Sequence, residues 1–211
     1  MSPLAYLDIF GSMIVDLTIK HILLFGVSFI GAAVLGVAVG IASYRFEAFR
    51  FLTPIVNVLQ ATPEIVLLAI SIPFLGIGYV GALVPLFIKG ILPIMQNTTS
   101  GLAGVDPNMK EAARGMGMSE MTILFRVELI TAAPVILAGM RVSAVMLVSV
   151  ITLTAYIGVE SLGTLILQGI ARMDTNALLI GSGLSAILAI AVNQAMIILE
   201  NLAMRRVGVR S

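Results

Sequence analysis

Val105–Arg141 reads VDPNMKEAARGMGMSEMTILFRVELITAAPVILAGMR. It is the longest charge-bearing interval in a chain that is otherwise nearly all apolar. Asp106 is placed to cap a helix whose first position is Pro107, where a missing N–H costs nothing. Good helix formers follow as far as Met116, apart from Gly115. Gly117 can close that helix at positive φ, and Ser119 can cap the next one. Two short helices split at a glycine, set between apolar runs, make a compact polar knuckle suited to docking. The plainer alternative is a solvated loop of chance helix formers, but such a loop has no need of caps and a glycine stop.

The rest of the chain says what that knuckle stands between. At 211 residues there is one domain, 1–211, and 59% hydrophobic against 11% charged residues with mean hydropathy +1.11 place it in a membrane. A net charge of +1 argues against nucleic acid as a partner. There is no Cys, which excludes disulfides, thiolate metal sites and Cys nucleophiles, and His21 is the only His, which excludes a multi-His metal site. Asp8 and Asp16 occupy the N-terminal stretch where a signal peptide would carry basic residues, so the first span is expected to be retained.

Apolar runs predict five spans, at about 22–44, 53–75, 80–99, 131–155 and 175–201, with the knuckle filling 100–130. Gly36 and Gly40 form a small-xxx-small pair in span one, which suits close packing inside one subunit better than a dimer seam. Pro63 and Pro73 should kink or break span two, and Pro85 and Pro93 punctuate span three. Broken helices in a membrane face protein or water, which favours a translocation path over inert anchors. Between spans four and five, Tyr156–Asp174 reads either as a short interfacial helix or as an outer gate.

Five spans put the termini on opposite sides, and basic residues choose the orientation. With the knuckle inside, the inner side holds Arg45, Arg50, Lys110, Arg114, Arg126, Arg205, Arg206 and Arg210, and the outer side only Lys20 and Arg172. The N-terminus is therefore expected outside and the C-terminus inside.

Charges within spans need partners. Glu64 and Lys89 each lie ten or eleven residues from the inner ends of antiparallel spans, roughly 16 Å of rise, so their depths match. They are expected to pair near the bilayer middle, either as a structural ion pair or as lining of the path. Replacing Glu64 by Gln should then strand Lys89. Arg141, in span four, is expected to snorkel to the inner side or to answer Glu128 or Glu111. Gly76–Gly81 spells GxGxxG without a βαβ unit and reads as a turn. No GxxxxGK[S/T] loop exists to bind ATP, and no paired acid and base suggests catalysis. The chain is read as no enzyme, with no catalytic and no metal-binding residue.

Glu111-Ala112-Ala113, three residues, Gly117, and then nine residues to a hydrophobic run resemble the EAA loop of ABC importer permeases. Ile130 stands where that family usually has Pro. The resemblance implies an all-α, five-span type I importer fold whose cytoplasmic coupling helix sits in a groove of a partner ATPase. It assigns ATPase coupling to Asp106, Glu111, Ala112, Ala113, Arg114 and Gly117, with Ala112 and Ala113 keeping the contact face flat. It also implies ATPase subunits that carry the ATP and Mg, a second permease copy or paralogue, an external substrate-binding protein and a bacterial inner membrane. Gln60-Ala-Thr-Pro63, Leu92-Pro93-Ile94 with Asn97-Thr98, and Gly101-Leu-Ala-Gly104-Val-Asp-Pro107 are most similar to permeases for glycine betaine, carnitine and choline. Methionine-type permeases are the alternative, and a proton-coupled carrier using Glu64 is a more distant one. Tyr79 and Tyr156 suit interface anchoring, or a face for a quaternary ammonium.

Overall fold

A computed structural model describes residues 3–49 and 51–207, and within them the chain is helical throughout. Helix α1 runs Pro3–Arg45, α2 Leu52–Ala61, α3 Glu64–Leu75 and α4 Tyr79–Ala103. The knuckle contains α5, Pro107–Gly115, and α6, Glu120–Ile123, which passes through a π turn at Leu124–Glu128 into α7, Leu129–Leu153. Helix α8, Leu162–Arg172, and α9, Thr175–Val207, complete the chain. Among the described residues, four helical stretches are long and apolar enough to cross a membrane, and a fifth span results if α2 and α3 are taken as one span bent by 105°. Arg50 and Arg210, two of the basic residues used to orient the chain, lie outside the described residues, as do the side chains of Arg205 and Arg206.

The first helix is longer than the uncharged run from Ile22, because Lys20 is neutralised where it stands. Its ammonium lies 2.6 Å from Asp16, one turn earlier, and also meets Glu160 beyond α7. The prolines divide into two kinds. Pro63 ends α2 at a sharp bend, whereas Pro73 stays inside α3, and Pro85 and Pro93 stay inside an unbroken α4. At Pro85 the repair is visible: the carbonyl of Gly81, left without its i+4 donor, lies 2.8 Å from the Ser71 hydroxyl, which shares its one proton with the Leu68 carbonyl at 2.7 Å. A hydroxyl from a neighbouring helix thus partly replaces the lost backbone donor.

The core is a slab in which α4 lies between α1 and α7. Leu24, Leu68, Leu86, Leu147 and Ile151 fill the half away from the knuckle, and Leu102, Leu124, Ala132 and Ile136 lie under the knuckle. Small residues set the spacing. A Cβ on Gly36 would sit 2.8 Å from Ile94 Cβ, and one on Gly40 would sit 2.6 Å from Thr98 Cβ, so the glycine pair packs α1 onto α4 within this subunit. Ser143 donates to the Gly90 carbonyl at 2.8 Å, tying α7 to α4 where Gly90 abuts Ala32.

The segment after α7 is a short capped helix. Ser161 and Thr164 form a capping box at the start of α8, which buries Leu162 and Leu165 against Tyr6, Ile14 and Leu17 of α1 and Ala177 of α9. It closes the end of the bundle opposite the knuckle.

Candidate functional site

Helix α5 is built by its ends. The Asp106 carboxylate accepts from the Asn108 N–H at 2.8 Å, and Pro107 holds the first helical position. At the other end Gly117, at φ +80°, donates to Arg114 O at 2.9 Å, and Met118 donates to Ala113 O at 3.2 Å. That pair of bonds is a Schellman stop, which needs a residue in the left-handed region. A Cβ on Gly117 would meet no atom within 4 Å, so only the backbone demands glycine. Gly117→Ala is expected to cost about 1–2 kcal/mol of local stability. Faster amide exchange across 107–118 than in wild type would report it; unchanged protection would remove the turn from the argument.

One face of α5 points out. Asn108, Met109, Glu111, Ala112 and Arg114 are exposed, and Glu111 makes no side-chain hydrogen bond or ion pair among the described residues. The other face points in. Ala113 is 1% exposed, so it cannot flatten an outer contact surface as the resemblance suggests; only Ala112 can. Ala113 and Lys110 are three residues apart, which on a helix puts both on the inner face.

Two sets of polar groups fasten this helix. Outside, Glu120 accepts from Arg114 Nε at 2.8 Å, and its backbone carbonyl accepts from Arg45 at 2.8 Å. The hydrogen bond to Glu120 raises the Arg114 guanidinium above its ordinary value. Inside, Lys110 Nζ donates to the Tyr44 hydroxyl at 2.8 Å and lies 3.3 Å from Glu128 Oε1, and Tyr44 donates to that same oxygen at 2.9 Å. Burial pulls the Lys110 ammonium down, but its bonds to Tyr44 and Glu128 outweigh that and hold its pKa above the ordinary value. These partners were not singled out as site residues in the sequence. The available signals were a lone acid just before the apolar run and a lysine in register with Ala113. Glu128 is thus taken by Lys110, and Arg141 instead meets Glu200 of α9 at 3.5 Å.

The second site lies within the spans. Lys89 of α4 lies 3.4 Å from Glu64 Oε1, as depth matching expects. Its closer partners are backbone: the carbonyl of Thr62 at 2.6 Å and that of Gln60 at 3.1 Å. Pro63 ends α2 there, so these carbonyls have no helical donor, and the ammonium serves them all. The Lys89 side chain is 3% exposed and that of Glu64 36%, so Glu64 is the member that reaches open space. Lys89 would not be stranded without it. Nearer the knuckle, Thr53, Asn57, Met95, Gln96, Thr99 and Ser100 line an open groove between α2 and α4, in which Gln96 donates to Asn57 at 2.8 Å. Tyr79 and Tyr156 are exposed, beside the backbone bond from Gly78 N to Ile157 O that joins the start of α4 to the end of α7.

Residues 32–208 match the family described as binding-protein-dependent transport system inner membrane component. The chain belongs to that family. It is a multi-pass inner-membrane permease. The carnitine transport permease protein OpuCB of Listeria monocytogenes is 40% identical over 172 residues, covering 79% of each chain. The choline transport system permease protein OpuBB of Bacillus subtilis is 34% identical over 196 residues, covering 92% of this chain and 90% of that one. In fold, the chain matches a subunit of the inward-facing MetNI methionine ABC transporter at TM-score 0.85, covering 96% of this chain and 99% of that one, at 23% identity. The all-helical importer fold expected from the resemblance is the fold observed.

Proposed function

We propose that the chain is the translocating subunit of an ATP-driven importer for a small osmoprotectant such as glycine betaine, carnitine or choline. The observation that carries the mechanism is α5: a helix stopped at both ends, held to the bundle on one face and presenting an unpaired Glu111 on the other. Such a helix can seat in a partner ATPase and pass on that partner's motion without doing chemistry. ATP and Mg belong to the partner, and no residue of this chain is assigned to bind them. The relatives named for carnitine and choline support the solute class, and a methionine cargo has only the fold behind it.

Polar groups in a span cannot rest against lipid at low cost. The Thr53–Asn57–Gln96–Ser100 groove and the open side of Glu64 therefore belong against water and a second permease copy or paralogue, around a path between them. The α8 end, opposite the knuckle, is the side for an external binding protein. This puts the N-terminus outside and the knuckle inside, where Arg45, Lys110, Arg114 and Arg126 cluster. Opening then follows from the partner's different affinity for the two states of α5 and its bundle.

The test is reconstitution with the neighbouring ATPase, comparing wild type with Glu111→Arg. Reversing a charge at the contact should lower permease-dependent ATP hydrolysis about tenfold or more and loosen co-purification. Normal binding and normal hydrolysis in the variant would remove α5 from the interface and turn attention to Glu64 as the site of an ion-driven carrier.

A further inference from the structure

We propose that Tyr44, Lys110 and Glu128 are positioning residues for transport: a buried three-way junction that passes displacement of α5 into α1 and α7. The proposal rests on the reading of α5 as the coupling helix and says how its motion enters the membrane.

The junction brings three elements to one point. Tyr44 is in the last turn of α1, Lys110 in the inner face of α5, and Glu128 closes the π turn before α7. Each pair is in contact: Lys110 to Tyr44 at 2.8 Å, Tyr44 to Glu128 at 2.9 Å, Lys110 to Glu128 at 3.3 Å. The Lys110 ammonium also lies 5.3 Å from the centre of the Tyr44 ring. Glu128 is 3% exposed and Lys110 15%, so the pair is largely out of water, unlike the exposed Arg114–Glu120 pair. Solvated pairs give way easily, whereas a buried charge cannot leave its partner without stranding it. When α5 moves, Lys110 must therefore carry Tyr44 and Glu128 along.

Two further features fit a transmitting role rather than a static brace. Glu128 Oε2 is buried without a hydrogen bond among the described residues, an unmet acceptor that a static core would be expected to satisfy. Glu128 also stands on a π turn, a single-turn irregularity that is frequent at functional sites.

The experiment uses the full complex of permease, ATPase and binding protein in vesicles, with choline as the transported probe, and reads choline moved per ATP hydrolysed. Tyr44→Phe, Glu128→Gln and the paired Lys110→Met/Glu128→Gln are compared with wild type. The paired variant removes both charges together, and Tyr44→Phe removes only a hydroxyl, so folding need not fail in all of them. The expected result is retained ATPase co-purification and ATP hydrolysis, with choline moved per ATP down about tenfold, the size of a usual coupling free energy. The exchange Lys110→Glu/Glu128→Lys should restore part of the ratio. A wild-type ratio in Tyr44→Phe and in the paired variant overturns the proposal. So does loss of ATPase binding in step with transport, which would make the junction a brace for the docking face. If wild type itself moves no choline, or Glu111→Arg keeps full coupling, the function reading fails instead.

Discussion

Lys89→Met is expected to fold and purify in clearly lower yield, while Glu64→Gln is expected to fold and purify much as wild type does. The asymmetry follows from who holds whom. Lys89 answers two carbonyls left without helical donors where α2 ends, at 2.6 and 3.1 Å, and Glu64 comes third at 3.4 Å. Methionine fills the lysine's volume and donates nothing. The acceptors are only partly buried and water can reach Glu64, so the total is about 1–3 kcal/mol. Neutralising Glu64 removes the weakest of three contacts from a group that reaches open space, for about 1 kcal/mol or less. Detergent-extracted yield and thermal unfolding of both variants decide it. Equal damage from both would mean that the ion pair, not the helix end, is what Lys89 serves.

Gly40→Leu should separate α1 from α4 and abolish the monodisperse species in size exclusion. A Cβ at residue 40 would lie 2.6 Å from Thr98 Cβ and 3.0 Å from the Met95 carbonyl oxygen. The second neighbour is backbone and cannot swing away. Overpacking on this scale costs about 1–3 kcal/mol or more, and here the displaced unit is a whole helix. Gly26 in the same helix has nothing within 4 Å of its would-be Cβ, so Gly26→Leu is the matched control and should be tolerated. Failure of Gly26→Leu as well would place another chain against that face; survival of Gly40→Leu would mean that the α1–α4 contact is looser than drawn.

Much of this arrangement is legible in the sequence, for reasons that can be named. Apolar runs mark spans because lipid tolerates little else, and the Asp106–Pro107 start and Gly117 stop are local signals with local consequences. Depth counting could bring Glu64 to Lys89 because α2 makes the rise as far as the bend at Pro63, and α4 runs unbroken past Lys89. It could not find the Thr62 and Gln60 carbonyls, since a backbone acceptor leaves no mark in composition. Long-range partners were hidden in the same way. Glu160 lets Lys20 sit within α1, Tyr44 and Lys110 claim Glu128, and Glu200 answers Arg141, each from a different part of the chain. Pro85 reads as a breaker until Ser71 is seen beside it. The inward turn of Ala113 was predictable from its three-residue spacing to Lys110, had that lysine been given a partner.

The π turn at Leu124–Glu128 bears on chain length as well as on chemistry. It holds one residue more than an α-helical turn would, so losing one residue there would restore a regular helix and leave the faces on either side nearly in place. A deletion within α7 itself has no such slack and would rotate everything before it by about 100° relative to the rest of α7. Glu128 would then face away from Tyr44, and the outer face of α5 would turn toward the bundle. The number of residues is therefore under tighter constraint in α7 than in the π turn that precedes it.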